Sequence, residues 1–331
     1  MISILMPVYN TEKYLPTCLD SILNQNEKNW ELLAVNDFST DNSKQILEEY
    51  AAKDERIKVF DNIEKGIIPA LRLAYAKSSG EFITRMDSDD LMKKHKLKSL
   101  KRIVEKYDDG TVATAKVKYF TDEGELGEGY KKYEQWLNQL DIDRYTEIYK
   151  ECVIPSPCWM TRRADLDKVG AFDADRYPED YDLCFRFYEN EIIPEMHNEV
   201  LHLWRDRPDR ISRTGAHYAD NAFLDLKLHY FLEIEHFDSK TTYVWGAGKK
   251  GKAVARKLIE KGVEFTWVTD NIRKRMVDIY GKRLQPPRVI SRHNYNEAQG
   301  IILVANPVEL EEIWDTLDGY ENTSDNFVSF C

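Results

Sequence analysis

Arg85-Met86-Asp87-Ser88-Asp89-Asp90 is the stretch whose reading decides the fold of this chain. Ahead of it, Gly80-Glu81-Phe82-Ile83-Thr84 has the character of a short buried strand. Behind it, Leu91-Met92-Lys93-Lys94-His95-Lys96-Leu97 reads as the start of a helix. The aspartates therefore cluster at a strand's C-terminal end, where open α/β sheets hold their ligands. Carboxylates this close repel one another, and relief comes from water, from a cation, or from a basic neighbour such as Arg85. A hard divalent ion, Mg2+ or Mn2+, takes oxygen ligands and binds through one or two carboxylates plus substrate phosphates. The alternative is an acidic turn that caps the next helix, since Asp is a favoured N-cap.

Working outward, strands alternate with helices. Ile2–Pro7 is a buried strand, and a helix opens at Thr11 with apolar Leu15, Leu19, Ile22 and Leu23 at helical spacing. Trp30–Val35 is the next strand, its polar loop from Asn36 to Ser43 leading into a helix over Lys44–Ala52. Ile57–Phe60, a helix from Gly66, and Glu81–Arg85 follow. This alternation predicts an α/β fold with a parallel doubly wound sheet.

The chain has 331 residues, enough for two domains, with 42% hydrophobic and 32% charged residues. A net charge of -11 argues against broad nucleic-acid binding but leaves room for a local anion site. Cys18, Cys152, Cys158, Cys184 and Cys331 show no CxxC spacing, which favours free thiols in a reducing compartment. Met1–Met6 lacks a basic leader and is cut by Pro7, so it reads as a strand. No run reaches the ~18 apolar residues of a spanning helix. The expectation is a soluble cytoplasmic protein, with the inner face of a membrane and a homo-oligomer both left open.

Side chains at successive strand ends make a nucleotide cradle. Tyr9 can stack on a base, Asp37 can accept from a base N–H, Asp87 can accept from ribose hydroxyls, and Asp89 can hold a metal against a diphosphate. Each has a plainer alternative, Tyr9 as a core-edge aromatic and Asp37 as an N-cap.

The segments Pro7-Val8-Tyr9-Asn10, Leu19-Asp20-Ser21-Ile22-Leu23, Asn36-Asp37-Phe38-Ser39-Thr40-Asp41, Ser79-Gly80-Glu81-Phe82-Ile83, Arg85–Asp90, Val169-Gly170-Ala171-Phe172-Asp173 and Glu179-Asp180-Tyr181-Asp182-Leu183 occur in this order. Through them, residues 1–215 resemble a family 2 glycosyltransferase with the GT-A fold. The resemblance implies a nucleotide-sugar donor, usually UDP-linked, a glycan or lipid-linked acceptor in cell-surface polysaccharide synthesis, and a divalent cation on the Asp-x-Asp element Asp87-Ser88-Asp89. It makes Asp180 the general base, where the plain reading is an acidic helix N-terminus. Pro7, Tyr9, Glu12, Asp37, Arg85, Asp87, Arg205 and Arg207 are the donor-binding candidates and Asp89 the metal ligand. Asn36, Phe38, Glu64-Lys65-Gly66 and Leu71-Arg72 depart from the family's pattern. Arg207 stands where the family often has a histidine; it cannot ligate a metal but can clamp phosphate oxygens.

Lys93, Lys94, His95, Lys96, Lys98, Lys101 and Arg102 make a basic helix, read as a solvated face or as one drawn to anionic lipid. Residues 121–150, with Tyr130, Tyr133, Trp136, Tyr145 and Tyr149, read as a loop and helix covering the acceptor side, or as packed aromatics. His202–Arg213 reads as a basic loop.

Residues 216–239 read as a helical linker and 240–331 as a smaller Rossmann-like α/β domain. Gly246-Ala247-Gly248-Lys249-Lys250-Gly251 follows the strand Thr242–Trp245 and precedes a helix, and Asp270 lies about 20 residues on. Gly246, Gly248, Gly251 and Asp270 are thus candidates for a second nucleotide loop, though a packing, oligomerisation or acceptor-positioning module fits the short domain better. Two other classes were weighed. A sugar-phosphate nucleotidyltransferase needs a Gly-rich basic loop near the N-terminus, which Pro7-Val8-Tyr9-Asn10 lacks, and a degenerate transferase would serve as a partner-binding subunit.

Overall fold

A computed structural model describes residues 1–141, 143–207, 223–292, 297–320 and 323–331. The chain forms two compact units, one of Met1–Tyr145 and Cys152–Ala219, the other of Thr146–Glu151 and Asp220–Cys331.

In chain order the first unit contains β1 (Ile2–Val8), α1 (Leu15–Leu23), β2 (Trp30–Asn36), α2 (Ser43–Ala51), β3 (Ile57–Asp61), α3 (Ile67–Lys77), β4 (Phe82–Arg85), β5 (Leu91–Met92), α4 (Lys96–Val104), β6 (Thr111–Phe120), α5 (Glu128–Gln139), β7 (Trp159–Arg162), α6 (Arg163–Lys168), α7 (Glu179–Glu189) and β8 (Ile193–Arg205). One eight-stranded sheet runs β3-β2-β1-β4-β7-β6-β8-β5. Its first half is parallel, with Ile2 opposite both Trp30 and Phe82. Covered on both faces, β2 is buried throughout, as parallel strands in α/β sheets are. β7 then runs antiparallel to β4 and to β6. The register brings the ends of β1, β2 and β4 to one sheet edge: Met86 N donates to Leu5 O at 2.9 Å, and Asp37 N to Val8 O at 2.8 Å. The loops carrying Asp37 and Asp87 leave from that edge.

Three expectations are corrected here. Leu91 and Met92 do not begin a helix; they pair with Leu203 and His202 as an edge strand, and the helix starts at Lys96. Lys96 is not solvated: it is fully buried, its Nζ donating to Pro157 O at 2.5 Å. His202–Arg205 is the end of β8, not a loop, because its backbone pairs with β6 through Arg205 opposite Phe120; residues 208–213 of that stretch lie outside the described residues. The aromatic residues of α5 take the packed alternative. Tyr130 lies 5.2 Å from Tyr119, and Tyr133 6.4 Å from Trp204, ring centre to ring centre.

The second unit contains α8 (Leu224–Tyr230), which runs into a π-helical turn over Phe231–Glu235, then β9 (Thr241–Trp245), α9 (Lys249–Glu260), β10 (Thr266–Val268), the hairpin β11 (Asp278–Ile279) and β12 (Lys282–Arg283), β13 (Ala298–Ile302), α10 (Pro307–Asp318) and β14 (Phe327–Ser329). Its sheet runs β10-β9-β13-β14, all parallel. The linker helix is seen from Leu224 onward; 216–222 lie outside the described residues. Thr146–Glu151, expected with the first unit, belongs to this one: Tyr149 stacks on Phe330 at 5.7 Å, and Lys227 Nζ donates to Lys150 O at 2.8 Å. Burial brings the Lys227 ammonium down to about 8.

Glycine is required where β9 turns into α9. Gly246 has φ +116°, and a Cβ on Gly251 would lie 2.1 Å from Gly246 O, whereas one on Gly248 would meet nothing within 4 Å. Gly251→Ala is therefore expected to destabilise the second unit by more than about 2 kcal/mol and Gly248→Ala to change it by less than about 1 kcal/mol. Denaturant unfolding of the two variants checks this contrast.

Candidate active site

The site is built on Arg85, at the end of β4 and only 5% exposed. Its Nε donates to Asp87 Oδ1 at 2.9 Å, and its Nη1 to Glu179 Oε1 at 2.9 Å. Burial works against the guanidinium's charge, but Asp87, Glu179 and Asp180 outweigh it and hold Arg85 firmly protonated. The fork thus ties the acidic turn to the first residue of α7, and Asp180 follows directly.

Burial pushes the Glu179 carboxyl up; Arg85 pulls it down, Asp180 adds to the rise, and it reaches about 7. Its Oε2 is buried without a hydrogen-bond partner. Asp180 is half-buried and its Oδ1 accepts from Tyr181 N at 2.9 Å. Burial raises its carboxyl as well, Arg85 opposing and Asp87 reinforcing. A base whose affinity for a proton is raised in this way is better matched to neutral pH. With Ile154, Ser156, Trp159, Leu183, Cys184 and Phe187, Asp180 lines a small cavity.

Asp89 and Asp90 are held from β8. Arg207 Nε donates to Asp89 Oδ2 at 2.8 Å. Arg205 donates from Nε to Asp89 O at 2.6 Å and from its backbone N to Asp90 Oδ1 at 2.7 Å, and it pairs with Asp122. Its guanidinium lies 4.8 Å from the ring centre of Tyr14 and 4.4 Å from that of Phe120. Arg205 therefore braces the acidic turn. Behind it, Asp90 Oδ2 faces His202 Nε2 at 2.9 Å, and Lys96 Nζ faces His202 Nδ1 at 3.0 Å. An ammonium can only donate, so Nδ1 accepts and Nε2–H points at Asp90.

The other candidates divide. Asp37, at the end of β2, accepts from Asn62 Nδ2 at 2.7 Å and from Gly66 N at 2.9 Å, which anchors the start of α3. Lys65 Nζ lies 4.8 Å over the ring of Tyr9. Pro7 sits in the sheet opposite Val35. Glu12 turns toward the neighbouring loop, accepting from Asn42 N at 2.9 Å and Asn42 Nδ2 at 2.8 Å. In the second unit, Asp270 is engaged by the indole of Trp245 at 2.6 Å, and Gly246 and Gly251 serve strand–helix packing. Sequence reasoning missed Glu179 as the second anchor of Arg85, and His202, Lys96 and Asp122 as supports. Only the adjacent Glu179-Asp180 pair left any signal.

Among the described residues no group of three or more His, Cys, Asp and Glu is arranged to hold a metal. A divalent ion shared with a donor's phosphates needs fewer protein oxygens, and the carboxylates of Asp87 and Asp89 at the sheet edge meet that need.

The comparisons with known proteins fit this geometry. Residues 3–170 match the model of Glycosyl transferase family 2. The chain belongs to that family. "Glycosyltransferase GlyA" of Streptococcus pneumoniae is 28% identical over 98% of this chain, which spans 47% of that protein's length. In fold, the chain is similar to S. aureus TarS 1-349, solved in complex with UDP-GlcNAc, with a TM-score of 0.57 at 20% identity, covering 78% of this chain and 71% of the other. It is also similar to a mannosyltransferase from Pyrobaculum calidifontis solved with GDP-Man and Mn2+, with a TM-score of 0.53 at 14% identity over 77% of this chain and 68% of that one.

Glu179 also links the site to stability. Its carboxyl rises from 4.5 to about 7 on folding, so between those values the folded chain holds a proton that the unfolded chain has released. Stability is therefore expected to fall as pH rises through that window, and Glu179→Gln to flatten the fall. Urea unfolding at a series of pH values measures both.

Proposed function

We propose that the first unit is an inverting, metal-dependent glycosyltransferase that moves a sugar from a UDP-linked donor to a hydroxyl of a glycan or lipid-linked acceptor. The observation that carries this reading is the Arg85 fork, which bonds Asp87 and Glu179 at 2.9 Å each and so sets Asp180 beside the acidic turn. A donor laid along the sheet edge has Tyr9 and Asp37 at its base, Asp87 at its ribose and Asp89 with Arg207 at its diphosphate. Mn2+ or Mg2+ would be held by Asp89 with the donor's phosphates, supplying positive charge against the leaving diphosphate. Asp180 accepts the proton of the acceptor hydroxyl as that oxygen bonds to the anomeric carbon and the sugar–phosphate bond breaks. Glu179, paired with Arg85, positions the helix that carries Asp180.

The acceptor side rests on less. Among the described residues no helix is long and apolar enough to cross a membrane. The exposed lysines Lys93, Lys94 and Lys98 by α4 support attraction to an anionic membrane surface on the cytoplasmic side, where a lipid-linked acceptor for surface polysaccharide would lie. The second unit is assigned packing or acceptor positioning, supported by the engagement of Asp270 with Trp245.

Asp180→Asn is expected to lower transfer by about a thousandfold or more, with UDP affinity, read by calorimetry, nearly unchanged. Equal loss of both would make Asp180 structural. The acid limb of the wild-type rate is expected above 3.8, the ordinary aspartate value, because burial raises this group. Asp89→Ala is expected to remove the Mn2+-dependent part of UDP binding, and activity retained in EDTA would overturn the metal's role.

A further inference from the structure

We propose that Ser156 is a positioning residue for Asp180, its hydroxyl holding the carboxylate through one water enclosed between them. This rests on the reading of Asp180 as the general base.

α7 carries Asp180, Leu183, Cys184 and Phe187 at helical spacing, so all four fall on one face. That face and the segment holding Ser156 enclose the small cavity that Asp180 lines. Most of its wall is apolar; Trp159 and Phe187, both on it, lie 6.2 Å apart, ring centre to ring centre. Ser156 is 5% exposed, and its Oγ has no hydrogen-bond partner among the described residues. A buried hydroxyl is costly in that state. Its backbone cannot easily carry it out to bulk solvent. Pro155 and Pro157 flank it, Cys158 N donates to Pro155 O at 2.9 Å, and Lys96 Nζ donates to Pro157 O at 2.5 Å.

Asp180 is the strong acceptor among the side chains of the cavity. The Ser156 hydroxyl does not reach it directly. The cavity leaves about 10 Å3 for the centre of a water, room for a single molecule. A water there accepts from Ser156 Oγ–H and donates to the carboxylate, with the Cys184 thiol as a weak third partner. Tyr181 N already donates to Asp180 Oδ1 at 2.9 Å. The water adds a second fixed donor, so the plane of the carboxyl is set from two directions. A base held in this way meets an acceptor hydroxyl at the geometry that proton transfer needs. Lys96 also faces His202, which faces Asp90, so one line of polar contacts runs from the Ser156 segment to the acidic turn.

The test uses the full chain. A crystal structure of the wild type is expected to show a water within hydrogen-bond distance of both Ser156 Oγ and Asp180; a gap without one overturns the bridge. UDP release is then followed with Mn2+ and whichever of UDP-GlcNAc, UDP-glucose and UDP-galactose the wild type turns over. Ser156→Ala is expected to lower kcat by about tenfold, with donor KM and calorimetric UDP affinity within about twofold of wild type. Ser156→Thr keeps the hydroxyl and is expected to hold kcat within about threefold of wild type. Unchanged kcat in Ser156→Ala overturns the proposal, and so does a Ser156→Thr as impaired as Ser156→Ala, which would mark a packing role. The functional reading fails separately. An Asp180→Asn that still transfers removes the base, and Ser156's role with it; an inactive Asp180→Asn beside an unimpaired Ser156→Ala removes the bridge alone.

Discussion

One buried guanidinium organises the site. Arg85 reaches from the last residue of β4 to Asp87 on its own loop and to Glu179 at the start of α7, 94 residues away. A buried arginine costs a large desolvation energy unless its donors are satisfied by anions. The carboxylates that satisfy it are those the chemistry requires close together, so stability and function share a constraint. Their mutual repulsion, which would otherwise splay the acidic turn from the helix mouth, becomes attraction to a common centre. The surplus negative charge falls on Glu179 and Asp180, whose carboxyls burial raises.

A second layer fixes the other half of the turn. Lys96, His202 and Asp90 form a line of fully buried polar groups, unusual in a core unless each member is paired. Its effect is to hold Asp90 still, so that Asp89 is presented from a rigid backbone. The sheet makes this geometry available because β8 returns beside β6 and carries His202, Arg205 and Arg207 to the edge where β1, β2 and β4 end.

What could be read from the sequence was local. The strands β1 to β4 and the helices between them announce themselves by apolar periodicity, and Asp37, Asp87 and Asp89 by their places at strand ends. What could not be read depends on partners far along the chain. Nothing near Lys96 says that its ammonium meets Pro157 O, nor near Leu91 that this dipeptide pairs with β8 instead of coiling. His202 and Arg205 look like part of a basic loop until β6 supplies the strand beside them. Glu179 reads as a helix-start acid because its arginine is remote. Asp270 sat at the spacing of a ribose-binding acid, yet the indole of Trp245 takes it, a contact that spacing cannot reveal.

The strip Thr146–Glu151 has a consequence for how this protein could have been assembled and how it can be taken apart. The polypeptide enters the second unit briefly, returns to finish the first, and only then goes on to complete the second. Tyr149 against Phe330, and Lys150 beneath Lys227, are stitches made before the larger piece of cloth is woven. Neither half can be swapped into another protein as a cassette by a single crossover. A nascent chain emerging from the ribosome must hold that strip unfinished until its last residues arrive.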